Sequence, residues 1–349
     1  MSLTLQNKKV LVVGGAGFVG SNLCKKLLEM DVASLIVIDN LLSSELSQLP
    51  KHPKLHFIFG SISHDAILAK IPSDVSFIFH LATYHGNQSS IHDPLADHEN
   101  NTLTSLKLFN YIKDFKHLEK VVYASAGCSI AKKTFDSAEA TLEAEQVSLY
   151  LDSPYQMSKI FGEFYGNYFF TQNKLPFVKA RFQNVYGPGE ILGAGQWRGT
   201  AHTIWRNVIP CFIFKALNKE ALPIENKGVA SRDFIYVDDI VNGLMLCATA
   251  GKPGESYNLA SGQETSIHTL AELINQLTEN ATPIDYCLAR DWDRSGKRYG
   301  CTKKSEQEMN FIAGVEIGKG LEQTIDWTRA NLPLIQQCID KHAYYTLST

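Results

Sequence analysis

The sequence predicts an α/β protein with a doubly wound parallel sheet and a smaller α/β lobe, formed mainly by the C-terminal part of the chain. Short apolar strands alternate with helical segments through the first half, which is typical of a parallel sheet covered on both faces. The apolar run at 10–13 leads into a helix through three glycines, and the next apolar strand ends on Asp39. Beyond about residue 185 the chain becomes irregular and rich in glycine. These observations predict a Rossmann-type first domain and a second lobe.

Hydrophobic periodicity predicts the elements of this sheet in chain order. After the strand at 10–13 and a helix over 21–30, the predicted strands are 34–39, 55–59, 75–80, 120–125 and 177–181. Two long helices are expected at 94–113 and 154–173, and a last strand–helix unit at 234–250. We expect the larger domain to comprise residues 1–185 with about 231–250, and the lobe to comprise 186–230 with 251–349.

The composition describes an ordinary globular protein without the charge that nucleic acid or an anionic membrane would attract. The 349 residues are 44% hydrophobic and 20% charged, with a formal net charge of −3. No stretch of about 18 apolar residues could span a bilayer, and the polar start at 1–9 predicts no signal peptide. The seven cysteines include no CxxC pair, which favours a reducing compartment over a zinc site. We therefore expect a cytoplasmic protein with no metal and no nucleic-acid or membrane partner.

The turn after the first strand has the spacing of a dinucleotide-binding site. Gly14, Gly17 and Gly20 are expected, in that order, to allow the tight turn, to let backbone approach a pyrophosphate and to let helix and strand pack closely. Asp39 is placed to accept from the adenosine ribose hydroxyls, and residues 40–45 contain no Arg or Lys for a 2′-phosphate, which favours NAD over NADP. The alternative is a glycine-rich turn that binds nothing. Further cofactor contacts are expected from Phe18, Val19, Asn40, Ile62, Leu81, Ala82 and Thr83.

A tyrosine and a lysine share one face at the start of the helix predicted over 154–173. Tyr155 and Lys159 are four positions apart, which is about one helical turn. A lysine ammonium there can lower the pKa of the phenol and can also bond the nicotinamide ribose. Such a tyrosine can exchange a proton with a sugar hydroxyl while a hydride moves to or from the nicotinamide. The alternative is a surface pair, and the preceding dinucleotide motif favours catalysis.

The motifs resemble those of the extended short-chain dehydrogenase/reductase family, specifically its NAD-dependent nucleotide-sugar epimerases, dehydratases and decarboxylases. The matching stretches are GGAGFVG at 14–20, IDN at 38–40, FHLA at 79–82, the Tyr155/Lys159 pair, RFQNVYGP at 181–188, SRDFIYVDD at 231–239 and YNL at 257–259. The resemblance implies that Tyr155 is the catalytic base and Lys159 its partner. It further implies that Asn184, Arg232 and Arg290 face the substrate diphosphate. A homodimer formed by the helices at 94–113 and 154–173 is also implied.

Three departures from the family pattern bear on the reaction. Ser61 stands where an Asp usually binds adenine, and a serine can still accept a hydrogen bond. The usual catalytic Ser or Thr position falls on Ala126 in an ungapped alignment, or on Ser125 if the alignment shifts by one residue. The position where dehydratases and decarboxylases carry an acid holds Cys128, a weak acid or base only if its pKa is lowered.

The missing carboxylates favour epimerisation, since dehydration needs a base and an acid and a 4-epimerase needs neither. We therefore predict an NAD-dependent nucleotide-sugar 4-epimerase that acts on a UDP-linked sugar in a polysaccharide or glycoconjugate pathway. The alternatives are a 4,6-dehydratase or other C5/C6-modifying relative that uses Cys128, and a non-catalytic NAD- and nucleotide-sugar-binding protein. The predicted substrate contacts also include His85, Ser90, Arg198 and Val208. The basic, aromatic loop 191–206 suggests the hypothesis that the sugar is modified or acidic.

Overall fold

Strands and helices alternate along the chain in the structure, a computed structural model that describes residues 3–131, 134–289 and 296–346. In chain order the strands are β1 (Lys9–Val13), β2 (Ser34–Asp39), β3 (Leu55–Phe59), β4 (Phe77–His80), β5 (Lys120–Ala126), β6 (Ala140–Thr141), β7 (Phe177–Phe182), β8 (Asn184–Tyr186), β9 (Pro223–Glu225), β10 (Ser231–Arg232), β11 (Phe234–Tyr236), β12 (Ser256–Leu259), β13 (Thr265–Ser266), β14 (Asp285–Cys287) and β15 (Tyr299–Gly300). The α-helices are α1 (Phe18–Glu29), α2 (Asp65–Leu68), α3 (Asn87–His92), α4 (Pro94–Asp97), α5 (Thr104–Ile112), α6 (Pro154–Asn173), α7 (Val208–Leu217), α8 (Val237–Thr249), α9 (Ile267–Leu277), α10 (Lys303–Met309), α11 (Ile317–Ala330), α12 (Leu332–Asp340) and α13 (Ala343–Thr346).

Seven of these strands form one parallel sheet, in the order β12–β7–β5–β4–β1–β2–β3. The first strand, β1, lies inside the sheet, between β2 on one side and β4 on the other. The strand order therefore reverses between β1 and β4, and such a switch point opens a crevice at the carboxyl ends of the two strands. The predicted Rossmann-type sheet is confirmed.

Alternating side chains on the buried strands build a separate core on each face of the sheet. From β1, Val10 and Val12 pack with α1 and α8 on one face. Leu11 and Val13 pack with α5 and α6 on the other. The run of apolar residues in β1 is explained by this burial on both faces.

Helix α6 occupies the residues predicted for it and is capped at its start. The Ser153 side chain accepts from the backbone N of Gln156, and a proline opens the helix. Gly162 lets α6 lie close to the sheet, because a Cβ at this position would collide with Tyr123 of β5. This close packing holds the first turn of α6 beside the end of β5.

The helix predicted over 94–113 is divided into α4, a π-helical segment at His98–Leu103, and α5. A π-helical turn widens the helix and frequently occurs at functional sites. Here the segment contains Asn101, whose side chain is only 2% exposed. Periodicity alone could not separate this segment from the α-helix on either side.

Strand β12 lies in a part of the chain that we expected in the second lobe. It pairs with β7 at the edge of the central sheet, so residues 256–259 complete the sheet instead. The short, mixed segment has too weak a pattern to identify it as a buried strand. Residues from α7, α9, α11 and β11 form a further apolar core beyond the sheet, and the rest of the division stays a prediction. No helix in the described ranges is long and apolar enough to cross a membrane.

Candidate active site

A cavity of about 820 Å³ opens at the carboxyl ends of the central strands. Loops after β1 to β5, the first turn of α6 and the segment leading into α7 form its wall. Ligands of doubly wound sheets bind in this position. Most predicted site residues line the cavity: Gly14, Gly17, Phe18, Val19, Gly20, Asp39, Asn40, Ser61, Ile62, Leu81, Ala82, Thr83, His85, Ser125, Cys128, Tyr155, Lys159, Asn184, Val208 and Arg232.

Two of the three glycines after β1 are needed for the fold, and the third leaves space in the cavity. Gly14 has a φ of +84°, and a Cβ there would lie 2.5 Å from the backbone N of Ala82. A Cβ on Gly20 would collide with the Gly14 carbonyl oxygen. A Cβ on Gly17 would meet, among the described residues, only that same carbonyl, at 3.4 Å. A side chain at position 17 would therefore fold without collision but would take space from the cavity. The space that Gly17 leaves at the N-terminus of α1 suits a pyrophosphate.

The acidic residue at the end of β2 is held firmly at the cavity wall. Asp39 Oδ2 accepts from Ala16 N at 2.9 Å, and its Oδ1 accepts from Leu41 N at 2.8 Å. Burial raises the pKa of Asp39, and these hydrogen bonds oppose the rise because they favour the charged carboxylate. In the loop after β3, Ser61 Oγ accepts from Ser63 N at 3.2 Å. The glycine turn, Asp39 and Ser61 line one cavity, and their positions suit a dinucleotide bound at the switch point.

Tyr155 and Lys159 lie together where α6 meets the end of β5. Lys159 is 3% exposed; its Nζ donates to Ala124 O at 2.9 Å and lies 5.7 Å from the centroid of the Tyr155 ring. Burial lowers the pKa of Lys159 to about 8, and Asp97 opposes the fall. Burial also raises the pKa of Tyr155 well above its usual value, whereas a hydrogen bond to Thr83 lowers it. In the protein alone, burial therefore outweighs the lysine effect expected from the sequence.

The end of β5 offers no free hydroxyl to Tyr155. Ala126 lines the cavity at the position where the resemblance implies a serine or threonine. The Ser125 hydroxyl donates to Glu163 Oε1 at 2.6 Å, and Arg181 donates to both oxygens of that carboxylate at 2.8 and 2.7 Å. Its engagement with a buried ion pair argues against Ser125 as the catalytic hydroxyl. Cys128, in the turn after β5, lines the cavity and stays a candidate.

A hydrogen-bonded network connects the loop after β4 to the first turn of α6. Asn101 Oδ1 accepts from Tyr84 N at 2.7 Å and from Thr83 Oγ1 at 3.1 Å. Asn101 Nδ2 donates to Asp97 Oδ1 at 2.7 Å and to Ser158 Oγ at 3.2 Å. Burial raises the pKa of Asp97 to about 6, so its carboxylate is mostly ionised at neutral pH. An ionised carboxylate only accepts, so Asp97 fixes the orientation of the Asn101 amide.

A second series of hydrogen bonds connects His85, in the loop after β4, to Glu190 through Asn207. Asn207 Oδ1 lies 3.2 Å from His85 Nε2, and Asn207 Nδ2 donates to Glu190 Oε1. The other Glu190 oxygen has no hydrogen-bond partner among the described residues, although the side chain is 7% exposed. Burial raises the pKa of Glu190 to about 7, with the Asn207 hydrogen bond and the Arg206 charge opposing. Burial lowers the pKa of His85 to about 4, so its ring, 5.9 Å from that of Tyr155, is neutral at pH 7.

Three of the predicted substrate contacts come from elements of the second lobe and its border. Asn184 begins β8, Val208 begins α7, and Arg232 ends β10. Arg232 Nη1 donates to the carbonyl oxygens of Ser231 at 2.7 Å and of residue 296 at 2.6 Å. Arg290 lies outside the described residues.

Two predicted substrate contacts do not line the main cavity. Ser90 Oγ donates to Asn87 O at 2.7 Å and accepts from Tyr155 N at 3.1 Å, so it caps the first turn of α6. Arg198 lines an adjoining cavity of about 300 Å³ and donates to Ser43 Oγ at 2.7 Å. Arg206 lines the main cavity instead and donates to the carbonyl of Ser43 at 3.3 Å.

The loop that carries these arginines is covered by the C-terminal helices. Trp197 stacks on Tyr345 of α13, with ring centroids 5.0 Å apart and planes inclined by 6°. His342 shares a hydrogen bond of 2.9 Å with Gly193 O. The Trp197 ring is therefore engaged by the protein itself.

Sequence reasoning missed Glu190, Asn207 and the contact between Thr83 and Asn101. Asn207 directly precedes α7, and an asparagine before an apolar helical run is a helix-start signal that could have drawn attention to it. Glu190 lies in an irregular loop, where no sequence pattern distinguishes a buried carboxylate from an exposed one. The described residues contain no group of three or more His, Cys, Asp or Glu side chains that could hold a metal ion.

Comparison with known proteins places the chain in a family. The model of the "NAD dependent epimerase/dehydratase family" matches residues 10–260. The Bordetella bronchiseptica enzyme WbmF, in complex with NAD+ and UDP, is 55% identical, with 99% of each chain covered and a TM-score of 0.89. The UDP-N-acetylglucosamine 4-epimerase of Methanobrevibacter ruminantium M1, in complex with UDP-N-acetylmuramic acid, is 29% identical, with 93% of this chain and 99% of that chain covered and a TM-score of 0.82. The human dTDP-D-glucose 4,6-dehydratase is 26% identical over 93% of this chain and 91% of its own. The chain belongs to the NAD-dependent epimerase/dehydratase family, within the extended short-chain dehydrogenases/reductases.

Proposed function

We propose that the protein is an NAD-dependent UDP-sugar 4-epimerase, which oxidises C4 of the sugar transiently and reduces it again from the other face. One observation carries the proposal. A single cavity wall holds the glycine turn, the Tyr155–Lys159 pair and Arg232, while the turn after β5 offers no carboxylate. Epimerisation at C4 needs only a base and the cofactor, and this wall supplies the base.

NAD, when bound, supplies the hydride acceptor that oxidises C4 and, once reduced, the donor that restores it. Tyr155 removes the proton of the C4 hydroxyl during oxidation and returns a proton when the new centre forms. Lys159, anchored on the Ala124 carbonyl, stabilises the phenolate by its charge. Arg232 pairs with the diphosphate, and the N-terminus of α1 binds the cofactor pyrophosphate.

The uridine part of the proposal is supported by the relatives. WbmF, at 55% identity, is seen with UDP, and the 4-epimerase at 29% identity with a UDP-sugar. We further propose that the enzyme acts in the cytoplasm, as a homodimer, in polysaccharide or glycoconjugate synthesis. The exposed aromatic face of α6, with Phe161, Phe164 and Tyr168 each about half exposed, supports the dimer.

Glu190 favours a second candidate function, a 4,6-dehydratase or another reaction at C5 or C6. The sequence suggested that the site lacks a carboxylate, but Glu190 lines the cavity, and its Oε2 has no hydrogen-bond partner in the part of the chain that the structure describes. Its pKa of about 7 suits proton transfer near neutral pH. The similarity to dTDP-glucose dehydratases keeps this alternative open.

NMR of the purified protein with UDP- and dTDP-sugars in deuterated water decides between these functions. We expect inversion at C4 without deuterium uptake, abolished in Tyr155→Phe and retained in Tyr168→Phe, which removes an exposed hydroxyl from the same helix. A 4-keto product that contains deuterium and depends on Glu190 would establish the dehydratase alternative. Tight binding of NAD and UDP without any turnover would contradict both and leave a non-catalytic binding protein.

A further inference from the structure

The end of β5 offers no free hydroxyl to the tyrosine base. Ala126 has none, and the Ser125 hydroxyl is engaged by Glu163. We propose that Thr83, held by Asn101, supplies the hydroxyl contact to Tyr155 that Ala126 cannot make, and so acts as the positioning residue of the base. A role of Thr83 in catalysis rests on the proposed function, in which Tyr155 is the base.

The position of Thr83 in the fold places it beside the base. The residue lies in the loop after β4, at the switch point, and lines the cavity together with Tyr155 and Ala126. Its hydroxyl donates to Asn101 Oδ1 at 3.1 Å, and a hydrogen bond between the Thr83 and Tyr155 side chains lowers the pKa of the phenol. The missing hydroxyl of β5 is thus replaced from the loop that follows the neighbouring strand, β4.

The hydroxyl of Thr83 has a single proton and two oxygen atoms that can accept it. While Tyr155 is protonated, the phenol donates to Thr83, and Thr83 donates to Asn101. When Tyr155 ionises, the proton of Thr83 turns to the phenolate. Asn101 Oδ1 is not left unsatisfied by this rotation, because it still accepts from Tyr84 N at 2.7 Å. The hydrogen bond therefore favours the ionised base at little cost elsewhere.

The same asparagine also ties the loop to the helix that carries the base. Asn101 Nδ2 donates to Ser158 Oγ at 3.2 Å, and Ser158 Oγ donates to the carbonyl oxygen of Tyr155 at 3.0 Å. The Asp97 carboxylate holds the amide in this orientation from the preceding helical turn. The buried Asn101 side chain thus contacts both Thr83 and the helix that carries Tyr155, so one residue positions both ends of the contact.

Thr83→Val tests the contact, since valine keeps the shape of threonine and removes its hydroxyl. The probe is 3,5-difluorotyrosine placed at position 155 of the NAD-loaded protein, whose ionisation is followed by fluorine NMR without any substrate. The charged and titratable groups that face this position all remain in the variant. They are Tyr123 from β5, Cys128 from the turn after it, Asp97 from α4, Lys159 from α6 and His85 from the loop after β4. A hydrogen bond to a charged group shifts an ionisation midpoint by about 1 to 2 pH units.

We expect the midpoint to rise by about 1 to 2 units in Thr83→Val and to stay near the parent value in Thr83→Ser. Thr328→Val, which removes a buried threonine hydroxyl in α11, is the control and should leave it unchanged. A midpoint in Thr83→Val equal to that of the parent would overturn the proposal, and Thr83→Ala answers the same question if the valine variant does not fold.

Turnover provides a separate measurement with native tyrosine at position 155. With UDP-sugars, Thr83→Val should reduce kcat about tenfold or more and move the rising limb of its pH profile to higher pH, while Thr83→Ser restores both. Absence of turnover in the parent protein would count against the proposed function, whereas the fluorine titration would still decide the role of Thr83.

Discussion

Glu190→Gln is expected to stabilise the protein, and to do so only where Glu190 is ionised. Burial raises the pKa of this carboxyl from 4.5 to about 7. A group whose pKa is higher in the folded protein favours folding below its unfolded pKa, and that contribution is lost as the pH rises through the folded pKa. The shift of about 2.5 units corresponds to about 3 kcal/mol lost at pH 8, at about 1.4 kcal/mol per unit. Glutamine keeps the oxygen that accepts from Asn207, but it buries an amide NH2 group without a partner, which lowers the free energy of unfolding by about 1 kcal/mol.

The net gain in the free energy of unfolding is therefore about 2 kcal/mol at pH 8 and close to zero at pH 5. Urea titrations of the NAD-free protein at both pH values measure it. Glu322→Gln, which neutralises an exposed carboxylate, is the matched control and should show no gain at either pH. A gain equal at pH 5 and pH 8, or a loss at pH 8, would refute the assignment of Glu190 as a buried carboxylate that titrates near neutrality.

Three further substitutions test the site and the proposed dimer. Gly17→Val should preserve the free energy of unfolding of the NAD-free protein. It should weaken NAD binding, measured by calorimetry, about tenfold or more, which is ~1.4 kcal/mol. An equal loss of folding stability would show that the fold itself needs this glycine. Ala126→Ser should leave turnover unchanged or raise it, because Thr83 already supplies a hydroxyl; a large loss would show that the site is built around the alanine. Phe164→Glu places a charge on the exposed aromatic face of α6 and should give a monomer in light scattering, whereas an unchanged mass would move the interface elsewhere.

The elements with strong local signals could be predicted from the sequence. Helix α6 has a capping serine, a proline at its start and helical periodicity, and the structure places it over the predicted residues, 154–173. Helix α1 begins at Phe18, three residues earlier than predicted, because the glycine turn is so tight that Gly20 already lies inside the helix. The glycine turn and the Tyr155–Lys159 pair have similarly strong local signals, and in the structure both line one cavity.

What could not be predicted depends on contacts between distant parts of the chain. Arg198 was placed near the sugar because its loop is basic, yet it reaches Ser43, 155 residues away in sequence. Glu190 is buried only because Asn207 and its neighbours fold over it. Whether the Ser125 hydroxyl is free to contact Tyr155 also depends on a distant residue, because Glu163 accepts from it.

The placement of β12 has a consequence for the order in which the protein can fold. The edge of the sheet next to β7 is completed by residues 256–259, which follow β7 only after the chain has passed through β8 to β11 and α8. A nascent or truncated chain that ends near residue 250 would present β7 with a row of unpaired backbone N–H and C=O groups, a known template for aggregation. A chain without residues 256–259 therefore cannot complete the central sheet, and expression of residues 1–250 alone should yield insoluble material.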